Sequence, residues 1–173
     1  MKVSDIKKVA CVGGGVIGSS WAIQYAMRGL SVALYDINDE QLLKSRGQME
    51  KSLDALVGHD AITQTQKAEI VARVHPTTSM EEAVSDAQFI QESGPERLEI
   101  KRSILAQVEQ YAASDALYAS STSGLLISEI VAEAAHPERC VGAHPYNPPH
   151  LIPLVEITRG EKSSDEMVKT VYD

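Results

Sequence analysis

One run of six residues, Gly13-Gly14-Gly15-Val16-Ile17-Gly18, restricts this chain to a narrow set of folds because of where it falls. The apolar stretch before it, residues 8–13, reads as a short strand, and residues 16–28 carry helical spacing closed by Gly29. At such a strand-to-helix turn Gly13 permits the sharp bend, Gly15 lets backbone approach a pyrophosphate, and Gly18 lets the helix lie close to the strand. Gly18, Ala22, Ala26 and Gly29 add a row of small residues on one helix face, and the helix N-terminus offers a positive dipole to phosphate. A lone GxGxxG is a weak signal, since ordinary glycine-rich turns contain it. Here a second apolar strand, residues 31–35, ends at Asp36, the place expected of an acid that binds a ribose hydroxyl. The candidate dinucleotide contacts are therefore Gly13, Gly15, Val16, Ile17, Gly18 and Asp36.

Asp36 also bears on which dinucleotide binds. A carboxylate about 4 Å from a 2′-phosphate would cost several kcal/mol at an effective dielectric near 20. No Lys or Arg follows to offset it, since the next residues are Ile37, Asn38, Asp39 and Glu40. NAD is the expected cofactor, rather than NADP. A helix-capping role for Asp36 is compatible with the same contact.

Beyond this first unit, residues 39–57 read as a long polar-faced helix, with strands at 73–75, 87–91, 116–119, 140–143 and 154–158 and helices at about 95–111 and 127–134. Thr63 with Gln66, Ser79 with Glu82 and Ser163 with Glu166 have capping-box spacing, predicting helix starts before Lys67, Met80 and Asp165. Strands alternating with helices predict an α/β fold, a Rossmann-type, doubly wound and mainly parallel sheet. With 173 residues, 43% of them hydrophobic, a single domain over 1–173 is expected. A formal net charge of -8 without a basic cluster disfavours nucleic acid and anionic membrane, leaving small molecules as the expected partners. The charged residues 1–8 lack the apolar core of a signal peptide, and no apolar run reaches the roughly 18 residues of a membrane span, so a cytoplasmic protein is expected. Cys11 and Cys140 stand in strand-like runs without CxxC or His-flanked spacing and read as buried free thiols, with no metal site.

The groups suited to chemistry stand at the other end of the chain. His144 and Glu156 are twelve residues apart, and His144 follows an apolar strand at the sheet edge where ligands bind in doubly wound folds. Imidazole is a general base, and a neighbouring carboxylate stabilises the imidazolium formed when it takes up a proton. The plainer readings are a satisfied core histidine and a strand-end charge. His150, in the same proline-rich loop spanning 145–153, is the competing base, whereas His59, His75 and His136 flank turns or prolines and read as surface or capping residues.

Four ordered blocks resemble the L-3-hydroxyacyl-CoA dehydrogenase family along the whole chain. They are the glycine run with Asp36, then Gln91-Glu92-Ser93-Gly94-Pro95-Glu96 running into Leu98-Glu99-Ile100-Lys101, then Ala119-Ser120-Ser121-Thr122-Ser123, and the segment from His144 to Glu156. The last block looks closest to the branch acting on free 3-hydroxy acids, the lambda-crystallin or L-gulonate 3-dehydrogenase group and L-carnitine dehydrogenase. The resemblance implies that His144 is the base for a substrate 3-hydroxyl, Glu156 its electrostatic partner and Ser123 a hydrogen-bonding group beside nicotinamide and substrate. It also implies that Asn147, in an HxxNP pattern, shapes the site and that Glu96 and Lys101 line the cofactor cleft. The implied reaction is NAD-dependent oxidation of an L-3-hydroxy acid or L-3-hydroxyacyl-CoA to the 3-keto product. Read without the resemblance, Ser123 caps the helix after Gly124, and Glu96 and Lys101 are charges on an exposed helix face.

Members of the resembled family continue into a second, all-helical domain that closes the cleft, supplies an Asn and forms a homodimer. This chain stops at Asp173 inside an apparent helix, so the expectation is a NAD-binding domain truncated within that helix, with NAD binding retained, turnover weak or nil and apolar surface left exposed. Residues 58–74 contribute only Lys67 and Arg73 as cations, which favours a free acid over a CoA thioester, while one Trp and one Phe present no visible aromatic pocket for a quaternary ammonium. The alternative is a non-catalytic, crystallin-like NAD-binding protein, a role that places no demand on Ser123, His144 and Glu156.

Overall fold

The computed structural model describes residues 2–173. Among them β1 (Lys8–Val12), β2 (Ser31–Tyr35), β3 (Val74–Thr77), β4 (Phe89–Glu92), β5 (Leu117–Ser120), β6 (Cys140–Pro145) and β7 (Val155–Arg159) form one sheet in the order β3-β2-β1-β4-β5-β6-β7. Every pairing is parallel except the last, in which β7 runs antiparallel to β6. Strand order reverses between β1 and β4, and the crevice beyond the carboxyl ends of such a pair is where doubly wound sheets take ligands. Pro76, which cannot donate to a ladder, is tolerated because β3 is an edge strand.

The helices are α1 (Val16–Met27), α2 (Asp39–Gly58), α3 (Gln64–Ala72), α4 (Met80–Val84), α5 (Leu98–Tyr111), α6 (Ile127–Ile130) and α7 (Asp165–Tyr172). Alternate residues of β1 face opposite layers: Val9 and Cys11 pack with Trp21, Ile23, Leu53 and Met167, whereas Ala10 and Val12 pack with Val84, Leu105, Val108 and Ile130. Covering both faces is what lets a parallel sheet carry nearly unbroken apolar strands. Cys11 and Cys140 are free and buried, and burial pushes the Cys140 thiol up to about 12. Among the described residues no helix is long and apolar enough to cross a membrane.

Local signals account for most helix starts. Asn38 accepts from the Gln41 amide at 2.9 Å to cap α2, and Thr63 and Gln66 complete the reciprocal box that opens α3. The other two predicted boxes are corrected. Ser79 does cap α4, but the Glu82 carboxylate accepts from Thr77 Oγ1 instead of closing the box. Ser164, not Ser163, caps α7, because Ser163 is buried and donates to the Cys140 carbonyl while accepting from the Gly160 amide. Two helices are also shorter than their periodicity predicts. Residues 95–97 form the turn before α5, and α6 ends at Ile130, the chain then turning as Glu109 accepts the amides of Ala135 and His136.

Candidate active site

The glycine turn after β1 is built by close approach. Gly13 sits at φ +102°, a region costly for other residues, and a Cβ there would lie 2.8 Å from the Ser93 carbonyl; one on Gly18 would lie 1.7 Å from the Gly13 carbonyl. Ser93, just past β4, donates its amide to Val12 at 2.8 Å, so the ends of β1 and β4 are joined under the crevice. Gly15 and Val16 are exposed, no side chain caps α1, and the space around Gly15 is open, so the start of the helix is left uncovered as an anion site requires. Asp36 is fixed by two amides, Gly14 N to Oδ2 and Ile37 N to Oδ1, both at 2.7 Å. This donor set suits the pyrophosphate and ribose of a dinucleotide.

Gly14 and Ser45 are neighbours at this turn that periodicity does not single out. The Gly14 carbonyl accepts from Ser19 Oγ at 2.8 Å and from the buried Ser45 Oγ at 2.5 Å, which ties α2 to the turn. Their contact joins positions 31 apart, beyond the reach of any local pattern.

Across the crevice, the end of β4 and the turn after β5 are stitched by carboxylates. Glu96 Oε1 accepts from Thr122 Oγ1 at 2.6 Å and from the amides of Ser123 and Gly124, both at 2.9 Å. Partial burial opposes its charge, but these bonds and the nearby Lys101 outweigh that and hold the Glu96 carboxyl at about 2. Ser123 is exposed, and it does not cap a helix: Leu126 is the N-cap of α6, and Thr122 Oγ1 takes the Leu125 amide. Lys101 departs from its expected place along the cleft. It is buried, its ammonium bound to Glu92 Oε1 and Oε2 at 2.9 and 3.0 Å and to Glu96 Oε2 at 3.4 Å, because an unpaired charge at that depth would be expensive. On the α1 side of the sheet a neutral chain ties the helix to β4 and the turn after β5: Tyr25 donates to Gln91, and Gln91 and Trp21 both donate to Ser121 Oγ.

His144 and Glu156 are register partners in the β6–β7 ladder, with Nδ1 3.0 Å from Oε2. Glu156 is an acceptor, so Nδ1 carries the proton in the neutral ring and Nε2 keeps its lone pair. Tyr146 donates to the other carboxylate oxygen at 3.5 Å. Asn147 is exposed in the loop that follows. His150 is engaged elsewhere: its Nδ1 lies 2.6 Å from Ser20 Oγ, its amide donates to the same oxygen, and burial holds its imidazole below the usual histidine range. It lines, with Ser20, Ile23, Met49, Ser52 and Leu56, a cleft of about 750 Å³ between α1, α2 and the 146–154 loop. Among the described residues no group of three His, Cys, Asp or Glu could hold a metal ion.

The Gly13 turn, the Glu96-bound Ser123 turn and His144 thus all belong to the carboxyl edge of one sheet, an arrangement suited to a dinucleotide and a proton acceptor acting on one small molecule. A family model described as the 3-hydroxyacyl-CoA dehydrogenase NAD binding domain matches residues 8–173. L-carnitine dehydrogenase from Pseudomonas aeruginosa is 41% identical over 167 residues, covering 96% of this chain and 51% of that protein. L-carnitine dehydrogenase/betainyl-CoA thioesterase from Rhizobium meliloti is 38% identical over 176 residues, covering 96% of this chain and 33% of that one. The solved structure of (S)-3-hydroxybutyryl-CoA dehydrogenase from Ralstonia eutropha is similar at a TM-score of 0.92 and 31% identity, covering 96% of this chain and 58% of its own. The chain spans about half or less of the length of these curated relatives.

Proposed function

Given that the chain belongs to the 3-hydroxyacyl-CoA dehydrogenase family, whose NAD-binding domain it matches, we propose that the protein carrying it oxidises the 3-hydroxyl of an L-3-hydroxy acid or L-3-hydroxyacyl-CoA, with His144 as general base. The observation that carries this reading is the His144–Glu156 pair at 3.0 Å on the same sheet edge as the glycine turn. Nε2 accepts the hydroxyl proton, and Glu156, held across the ladder, stabilises the imidazolium that results. Bound NAD supplies the hydride acceptor. The glycine turn and the open first turn of α1 would hold its pyrophosphate, Asp36 its ribose, and Ser123 a position beside nicotinamide and substrate.

Two observations, the relatives' names and the lining of a cleft, support a substrate class. Proteins about 40% identical to this chain are L-carnitine dehydrogenases, which makes L-carnitine the first substrate to test. The cleft beside α2 is lined by the Lys51 ammonium and by no carboxylate, although the chain has 24 acidic residues. That lining suits a substrate bearing an anion, which a free 3-hydroxy acid and an acyl-CoA both do.

The test is NADH formation by the full-length protein with L-carnitine, gulonate, 3-hydroxybutyrate and 3-hydroxybutyryl-CoA. One substrate should turn over well above the rest and lose turnover in His144→Ala. Turnover with none of them, in a protein that binds NADH, would replace this reading with a non-catalytic one.

A further inference from the structure

The most buried charged group of the site edge is one to which the proposed chemistry assigns no task. Glu92, at the end of β4, is 0% exposed, yet each of its oxygens has two donors: Gly94 N at 2.6 Å and Lys101 Nζ on Oε1, Ser120 Oγ at 2.5 Å and Lys101 Nζ on Oε2. Lys101, 1% exposed, therefore serves two carboxylates, Glu92 beneath it and Glu96 above it, with the Gly94 carbonyl at 3.4 Å as its remaining neighbour.

We propose that Glu92 is a positioning residue for the Ser123 turn, acting through Lys101 and Glu96. Its physical basis is the division of one ammonium between two anions. Glu92 makes the two shorter contacts, so the ammonium is anchored in the sheet and can reach Glu96 only at 3.4 Å. Glu96 Oε2 is thereby tethered while Oε1 stays free to gather Thr122, Ser123 and Gly124. If Glu92 loses its charge, the ammonium's full attraction falls on Glu96 and draws that carboxylate inward, off the two amides. Ser120, which binds Glu92, and Ser123, which the relay positions, flank the same turn, so the relay closes a loop around the end of β5. This inference rests on the proposed function only in giving Ser123 a place beside the substrate.

The test reads the turn without substrate, so its failure is separate from a failure of the dehydrogenase reading. Amide hydrogen exchange in the full-length protein should speed up by about tenfold or more at Ser123 and Gly124 in Glu92→Gln, while the Gly14 amide, bound to Asp36, keeps its rate. A merely structural role would speed all three alike. Because Glu92→Gln disturbs a buried ion pair, Glu92→Gln with Lys101→Met is the second variant: it leaves no buried charge unpaired and still removes the tether on Glu96. Unchanged exchange at Ser123 and Gly124 in that double variant, or equal acceleration at Gly14, would overturn the proposal. Lys101→Arg, which keeps the charge, should restore much of the protection that Lys101→Met loses.

Discussion

His144 and Glu156 face each other across the one antiparallel pairing of the sheet, Nδ1 3.0 Å from Oε2, so the backbone ladder itself aligns the imidazole with the carboxylate. In a non-hydrogen-bonded or hydrogen-bonded register alike, opposite side chains in such a ladder share one face. His144→Ala should lower kcat by about 10²–10⁴-fold while leaving NADH affinity within about twofold. Glu156→Gln should keep the geometry and lose part of that rate. Fluorescence titration of NADH beside steady-state kinetics separates the two effects; parallel loss of binding and rate in His144→Ala would make the residue structural.

Gly14→Ala should destabilise the domain by about 1–3 kcal/mol, because the added methyl would lie 2.3 Å from Ser45 Oγ and 3.2 Å from Asp36 Oδ2. Ser45→Ala removes the nearer atom and leaves its own Cβ at 3.4 Å, an ordinary contact. Thermal denaturation of both single variants and the double should therefore show the pair costing less than the sum. Strict additivity would mean that Ser45 does not confine the turn.

Glu96 makes stability depend on pH at the acid end. Its folded-state carboxyl is held at about 2 against an ordinary value of 4.5, so its contribution is present in full above 4.5 and is lost as pH falls towards 2. Since the side chain is 41% exposed, solvent screens part of the effect. Glu96→Gln should flatten the decline in melting temperature between those pH values relative to the unsubstituted protein. An identical slope in the two proteins would contradict the assignment.

Asp36→Asn should shift cofactor preference towards NADP by at least about tenfold in the ratio of dissociation constants, because it removes a charge that repels a 2′-phosphate. The same change weakens the hold on the Gly14 amide, so affinity for NAD should fall as well. A ratio unchanged by the substitution would assign the preference to other groups.

How much of this was legible in the sequence depended on the range of the contacts. The Gly13 to Gly18 turn, the strand and helix that flank it and the Thr63 box follow from neighbours within a few positions, and strand ends were displaced from their predicted bounds by only a residue or two. The doubly wound order followed from alternation of strands and helices. By contrast, Ser163 reads as a cap and is instead buried under Gly160, and Lys101 reads as a surface charge on α5 and is instead enclosed by Glu92. In each case a tertiary partner outcompeted the local role. A usable clue was present for one of them, since Glu92 is a lone charge ending an apolar strand nine positions before a lysine.

The reversal of the final strand makes His144 and Glu156 the two halves of one rung of a hairpin, an arrangement that would separate reactivity from selectivity along the chain. From residues 146–154, which join the two strands, Pro148, His150 and Leu151 border the cleft without belonging to the ladder. Lengthening or rewriting residues 148–154 would remodel what the mouth admits while leaving Tyr146 and the ladder that aligns His144 with Glu156 in place, a modular division open to grafting loops from relatives with other substrates.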